Sequence, residues 1–271
     1  THVLNHGLHY GSCVFEGLRV YSSNIYKLEQ HTDRLFHSAN RMGMEVPYTK
    51  NELNDAQEQI IKKMNISYGY IRPVIWRGSE MMAISAKKNK INVAIATWEW
   101  PSYFSPEDRL KGITLQTAEW RRPPANTIPT DAKAAGLYMI CTLSKHKAEK
   151  DGFTDALMLD YEGKVAESTG SNIFFVFNGE LHTPIPHCFL DGITRQTAIS
   201  IAEKQGIKVV QRDIYPEEIK DAQEIFLTGS AVEINPVRKI DDLEFKVGKV
   251  TSMISDLYLS EVDKNYKIDN S

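Results

Sequence analysis

The sequence predicts an α/β protein of two domains, and three observations carry that prediction. Apolar residues at strand spacing alternate along the chain with stripes at helical spacing. Both patterns stop between Trp98 and Glu107, in a stretch holding Pro101, Pro106 and the aromatics Trp98, Trp100, Tyr103 and Phe104. The length, 271 residues, suits one large domain or two small ones. The expected division is a smaller α/β domain over residues 1–97, a linker over 98–107 and a larger α/β domain over 108–271.

In the first half, Cys13–Tyr21 and Asn24–Leu28 read as strands joined by Ser22-Ser23. Asp33–Met42 reads as a helix, with Leu35, Ala39 and Met42 on one face. A second helix over Asn51–Met64 has its start marked by Thr49 and Glu52, a T-x-x-E capping box. Its stripe is Leu53, Ala56, Ile60 and Met64. Tyr68–Trp76 and Lys90–Thr97 are strands, and Tyr70 and Arg72, two apart, share a face.

The second half opens with a strand at Ile113–Trp120. A helix follows Tyr138, with Leu137, Ile140, Cys141, Ser144 and Ala148 on one side and Gly152 just past its end. Asp155–Asp160 is a strand. Asn172–Phe177 and Glu180–Thr183 flank Asn178-Gly179, a strong hairpin signal. A helix over Thr194–Gln205 stops at Gly206. Strands at Lys208–Asp213 and Glu224–Leu227 and a helix over Val250–Val262 complete the pattern.

Composition excludes several classes. Hydrophobic residues are 42% and charged residues 25%, an ordinary globular balance. The net charge of −3 makes no electrostatic case for nucleic acid or an anionic membrane. Apolar runs such as Ile173–Phe177 are too short to span a bilayer. Cys13, Cys141 and Cys188 are far apart and form no CxxC or His/Cys cluster, so neither a metal site nor a disulfide framework is expected. The first residues carry no signal-peptide or lipidation pattern, and a reducing cytoplasm is the expected compartment. The chain begins at Thr1, already inside a patterned segment, so a preceding strand is expected to be missing.

One stretch invites chemistry. In Ala125–Tyr138, read ANTIPTDAKAAGLY, Lys133 stands among Ala132, Ala134, Ala135 and Gly136 where a loop meets a helix. A desolvated amine there would have a lowered pKa and be free to form a Schiff base. On its own the stretch reads more readily as a solvated surface lysine.

The segments downstream decide between these readings. Glu167 opens ESTGSNIFF, the hairpin follows, then L-x-T at Leu181–Thr183 and LDGITR at Leu190–Arg195. This order resembles the signature of the class IV pyridoxal-phosphate aminotransferases. Further segments resemble the branched-chain amino acid aminotransferases within that class: HGLHYGSCVFEGLR at His6–Arg19, H-x-x-R-L at His31–Leu35, YIRPVIW at Tyr70–Trp76, NTIPTDAKAAGLY at Asn126–Tyr138 and TGSAVEINPV at Thr228–Val237. The resemblance covers nearly the whole chain. Two departures stand out: Ser171, where branched-chain enzymes often carry Glu, and Ser230, where Thr is common.

The resemblance implies a fold-type IV enzyme with pyridoxal 5'-phosphate between its two domains. Lys133 would form the Schiff base and move the proton at the substrate's Cα. Glu167 would face the pyridine nitrogen and keep it protonated; without the motif it reads equally as a turn residue. Tyr138 would bond the phenolic oxygen, and Leu190 would pack on the ring, though each also suits a core position. The phosphate would be held by Arg34, by Gly192, Ile193 and Thr194 where a loop becomes a helix, and by Gly229 and Ser230.

On the substrate side, the resemblance implies branched-chain L-amino acids exchanged with 2-oxoglutarate. Phe15, Tyr70, Trp100 and Tyr103 would line an apolar pocket, and Arg72 would meet the distal carboxylate. Ala231 with Ser230 would hold the α-carboxylate through backbone N–H groups. Tyr10 and the loop after Arg77 would reach into the site of a second copy, so a homodimer or higher homo-oligomer with shared sites is expected. Ser171 leaves open a D-amino acid transaminase or an aminodeoxychorismate lyase of the same fold.

Overall fold

The computed structural model describes residues 1–100 and 111–268. They fall into two compact units, residues 1–100 with 129–139, and residues 111–128 with 140–268.

The first unit runs α1 (His6–Tyr10), β1 (Cys13–Phe15), β2 (Leu18–Tyr21), β3 (Asn24–Ile25), α2 (Leu28–Arg41), α3 (Lys50–Met64), β4 (Gly69–Arg77) and β5 (Ile91–Glu99). Long β4 organises its antiparallel sheet: β1 and β2 pair with successive parts of β4, β5 pairs along its whole length, and β3 extends β2. Leu18, Val20 and Ile71 of the sheet pack with Ile61 of α3 and with Ile66 into a buried core. The Thr49–Glu52 capping box is present in both directions.

The strand expected over Cys13–Tyr21 is broken at Glu16-Gly17. Glu16 is completely buried, and a Cβ on Gly17 would lie 1.8 Å from the Tyr70 hydroxyl. Asn24–Leu28 is strand only at Asn24–Ile25, because Lys27 turns left-handed (φ 50°) and α2 starts at Leu28 rather than at Asp33.

The expected linker also changes. Trp98 and Glu99 belong to β5, where they pair with Tyr70 and Gly69. Any side chain at Gly69 would strike the Trp98 carbonyl, at 2.8 Å from a Cβ. Residues 129–139, expected within the larger C-terminal domain, instead belong to the first unit. Ala134 bridges to Val14, the Phe15 N–H donates to the Lys133 carbonyl at 3.1 Å, and the Lys133 N–H donates to Ser38 Oγ at 2.9 Å.

The second unit contains β6 (Ile113–Arg122), α4 (Met139–Lys150, whose first residue lies in the first unit), β7 (Asp155–Asp160), β8 (Val165–Ser168), β9 (Asn172–Phe177), β10 (Glu180–Thr183), α5 (Ile193–Lys204), β11 (Val209–Gln211), β12 (Glu224–Gly229), β13 (Glu233–Ile240), β14 (Leu243–Glu244) and α6 (Lys249–Val262). Its strands run in the order β11-β10-β9-β12-β13-β6-β7-β8, and β8 pairs back to β9, closing six of them into a ring. The closing contact is a single pair, Glu167 with Asn172. The hairpin turns at Asn178 and Gly179, both at positive φ (51° and 78°), as two-residue connections require. Leu115, Leu157, Phe175, Ile225, Leu227 and Val237 form one core inside this sheet. Strand β8 and strand β13, with Pro236 inside it, carry no alternation strong enough to read from sequence.

Candidate active site

In the first unit a lysine, a carboxylate and an arginine gather around two aromatic rings. Lys133 Nζ donates to Tyr138 Oη at 2.9 Å and lies 5.0 Å from the Phe15 ring centre. The rings of Phe15 and Tyr138 are 5.0 Å apart. The lysine backbone is pinned on both sides as described above, and Ala132 and Ala134 beside it are buried. Small residues are required here because the segment lies directly against β1.

Burial alone would depress the Lys133 pKa, as its small neighbours suggest. Electrostatic interaction with Tyr138 and with Glu16 outweighs burial, and the amine is held above its ordinary value even though Arg34 opposes them. The expected depression is therefore reversed, and Lys133 is an ammonium in the protein alone.

Glu16 anchors the other side. Its Oε1 accepts from Arg34 Nε at 2.6 Å, and its Oε2 accepts from Arg34 Nη2 at 3.0 Å and from His31 Nδ1 at 2.7 Å. Burial would raise this carboxyl, but Arg34 and His31 overcome it and hold Glu16 well below the usual carboxylate range. His31 is pushed down, chiefly by burial. A carboxylate can only accept, so the His31 proton sits on Nδ1. Neither Glu16 nor His31 stands out as a site residue in the sequence. The available signal is a charged residue inside apolar VFEGL, three residues after Cys13 opens a strand.

Arg72 lies over the Phe15 ring at 4.6 Å and the Tyr70 ring at 5.4 Å, and Nη2 donates to Tyr70 Oη at 3.3 Å. Its Nε is buried without a hydrogen-bond partner. The Trp100 ring packs against Tyr70 with centres 5.2 Å apart and planes tilted by 36°, so Phe15, Tyr70, Arg72 and Trp100 are brought together. Tyr103 lies outside the described residues. Tyr10 stands apart on α1, 44% exposed, with its ring 4.6 Å from His6.

In the second unit the signature residues converge at the seam of the sheet. Glu167 is buried, with Oε1 3.5 Å from Arg122 Nε and Oε2 accepting from Asn172 Nδ2 at 3.3 Å. Glu167 is thus a strand residue rather than a turn residue. Gly192 precedes α5, and no side chain caps that helix. Its amide, expected to face an anion, instead donates to Asn172 Oδ1 at 3.1 Å. The helix start at Ile193 and Thr194 retains the positive end of the dipole. Gly229, Ser230 and Ala231 occupy the end of β12 and the turn into β13. A Cβ on Gly229 would sit 3.0 Å from Ser171 Oγ. Next to it, Thr228 Oγ1 is buried and has no hydrogen-bond partner.

Arg195 explains the rest of the signature. It is 1% exposed and reaches Asp191, Thr183, the Pro184 carbonyl and Gln211. Thr183 in turn donates to the Ile173 carbonyl. The Thr and Arg of the motif therefore hold the backbone around residues 183–192 in place.

No helix among the described residues is long and apolar enough to cross a membrane. The family described as amino-transferase class IV matches residues 13–240. The chain is similar to the branched-chain-amino-acid aminotransferase of Pseudomonas aeruginosa, at 39% identity over 269 residues, covering 97% of this chain and 88% of that protein. The branched-chain-amino-acid aminotransferase of Escherichia coli K12 is 36% identical, covering 95% of this chain and 86% of its own. Among solved structures, the branched-chain aminotransferase of the thermophilic archaeon Thermoproteus uzoniensis with norvaline superposes with a TM-score of 0.92 at 35% identity, covering 97% of this chain and 89% of that one.

Proposed function

This chain belongs to the class IV aminotransferase family and has its α+β fold, and we propose that it is a pyridoxal 5'-phosphate-dependent transaminase exchanging branched-chain L-amino acids with 2-oxoglutarate. The observation that carries the proposal is Lys133 with its amine on Tyr138 Oη and its backbone fixed on both sides. Relatives of this chain are branched-chain-amino-acid aminotransferases, and one similar solved structure holds N-(5'-phosphopyridoxyl)-L-glutamate.

The residues present fit the cofactor. In the first unit Lys133, Tyr138 and Arg34 would hold it. In the second unit Glu167, Leu190, Ile193, Thr194, Gly229 and Ser230 would do so, and the orphaned Thr228 hydroxyl and the Cβ-free Gly229 suit a ligand brought close to backbone. Gly192 would serve by shaping the turn, since its N–H is already used. When bound, pyridoxal phosphate supplies an electron sink for the pair left when a Cα–H bond breaks, and carries the amino group between the two half-reactions.

The protein's own groups do the rest. Lys133 Nζ, released from the ammonium form, takes the α-proton and returns it. Tyr138 Oη keeps that amine oriented. Glu167, buried beside Arg122, offers a fixed carboxylate to a protonated ring nitrogen. Arg72 answers the second carboxylate of glutamate through an Nε with no other partner, while Phe15, Tyr70 and Trp100 accept a branched side chain. Ser230 and Ala231 would hold the α-carboxylate. The test is a visible absorbance band in the purified protein that L-leucine bleaches and D-alanine leaves unchanged. A band bleached by D-alanine alone would instead assign the chain to the D-amino acid transaminases, and no band would overturn the proposal.

The proposal extends to a cytoplasmic homodimer or higher homo-oligomer with shared sites. Val3 and Leu8 are each 68% exposed, Met82 41% and Ile84 81%. His6 holds the two segments together, its N–H donating to the Gly78 carbonyl and its Nε2 lying 3.0 Å from the Ala83 carbonyl. This apolar surface would be costly in water and useful in an interface, and Tyr10 belongs to it. Met82→Glu with Ile84→Glu should lower dimer content and activity together in sedimentation and dilution assays. A stable wild-type monomer with full activity per chain would sink the shared site.

A further inference from the structure

The closing pair of the second unit's sheet does more than close it. Asn172 is 4% exposed, and its amide makes three hydrogen bonds to three separate segments. Nδ2 donates to Glu167 Oε2 at 3.3 Å and to the Leu190 carbonyl at 2.9 Å. Oδ1 accepts from the Gly192 N–H at 3.1 Å. The orientation is the one the partners allow: a backbone N–H must face the oxygen, and a carbonyl and a carboxylate must face the NH₂ group. A flipped amide would oppose like to like at all three. Gly192 is bare for the same reason, since a Cβ there would lie 2.2 Å from Asn172 Oδ1.

We infer that Asn172 is the positioning residue that locks the Glu167 carboxylate and the Leu190–Gly192 turn into one arrangement, so that cofactor affinity and carboxylate chemistry depend on a single side chain. The inference rests on the proposed function, under which Glu167 meets the ring nitrogen and the turn leads the phosphate to α5. On this reading Asn172 acts through other groups, by fixing the carboxylate of Glu167 and the backbone of the Leu190–Gly192 turn. A valine or leucine could fill the same volume and would make none of the three bonds.

Charged and titratable groups face Glu167 from several elements. Arg122 of β6 lies 3.5 Å away. The thiols of Cys141 in α4 and Cys188 are pushed up by burial to about 11 and about 12 and stay neutral. An aspartate at 172 would therefore add a negative charge directly against this carboxylate.

Three variants test the idea, each read by titrating cofactor-free protein with pyridoxal 5'-phosphate and by the pH profile of leucine turnover. Asn172→Leu should bind the cofactor about tenfold or more weakly, as the loss of hydrogen bonds to buried partners predicts, and lose turnover as well. Glu167→Gln should lose turnover, with a smaller loss of cofactor affinity than Asn172→Leu. Asn172→Asp, which keeps the shape, places two carboxylates within hydrogen-bond reach. They cannot both ionise freely, so the acidic limb of the turnover profile should move to higher pH by about one unit or more. A merely structural asparagine would leave that limb in place, and Asn172→Asp keeps the test alive if the leucine variant does not fold. Wild-type affinity and turnover in Asn172→Leu, or an unshifted acidic limb in Asn172→Asp, overturns the inference while wild-type protein still binds cofactor. Wild-type protein that takes up no pyridoxal phosphate overturns the functional reading beneath it.

Discussion

Lys133→Ala is expected to lose turnover by at least about four orders of magnitude, the upper range for removing a general acid–base group, while still taking up pyridoxal phosphate. The two effects separate because the amine and the backbone of this residue do different work. The amine reaches Tyr138 Oη and is the only one offered at Phe15 and Tyr138 among the described contacts. The backbone bonds to Ser38 Oγ and Phe15 N–H survive truncation, and alanine suits a segment already built of Ala132, Ala134 and Ala135. The groups proposed to hold the phosphate remain. Single-turnover absorbance with L-leucine, and cofactor stoichiometry after denaturation, read the two quantities apart. Turnover within about tenfold of wild type, a small fraction of the expected loss, would remove Lys133 from the centre of the chemistry.

Arg34→Ala should destabilise the protein as well as weaken its hold on the cofactor. Glu16 is 0% exposed and receives two hydrogen bonds from this guanidinium. Removing one partner of a buried ion pair leaves the other charge desolvated and typically costs about 3–5 kcal/mol. The pH dependence follows from the same pair. In wild type, the Glu16 carboxyl lies well below its ordinary value because Arg34 and His31 overcome burial. A depressed carboxyl gives stability that is present above the ordinary carboxylate range and is lost as pH falls toward the folded value. Without Arg34, burial regains ground, so the variant should begin to lose stability at milder acid than wild type. Urea unfolding at neutral pH and an acid titration followed by circular dichroism measure both effects. Equal urea midpoints and coincident acid curves would show that Glu16 does not depend on Arg34.

The site is partly legible in the sequence alone. Lys133, Glu167 and the GITR segment stand out because their types and order are unusual and local. Asn172 stands in the same motif, yet nothing in NIFF says that one amide serves Glu167, Leu190 and Gly192. Those partners are set by sheet register and by a returning loop. Glu16 is hidden for a similar reason, since its two partners come from α2, fifteen and eighteen residues away.

The sequence by itself determined what depends on neighbouring residues. The Thr49–Glu52 box, the Asn178-Gly179 turn and the strands at 155–160, 172–177 and 180–183 follow from capping chemistry, positive φ and short-range alternation. Only tertiary structure decided where long-range partners overrule those signals. Trp98 and Glu99 became strand because β4 offers them hydrogen bonds. Residues 129–139 joined the first unit because β1 and Ser38 hold their backbone. Lys133 is held as an ammonium rather than a free amine, because Tyr138 and Glu16 lie beside it and favour the charged form, which its small sequence neighbours could not reveal. Local pattern fixes which backbone conformation is cheap; the charge and partner of a buried group depend on what the rest of the chain brings beside it.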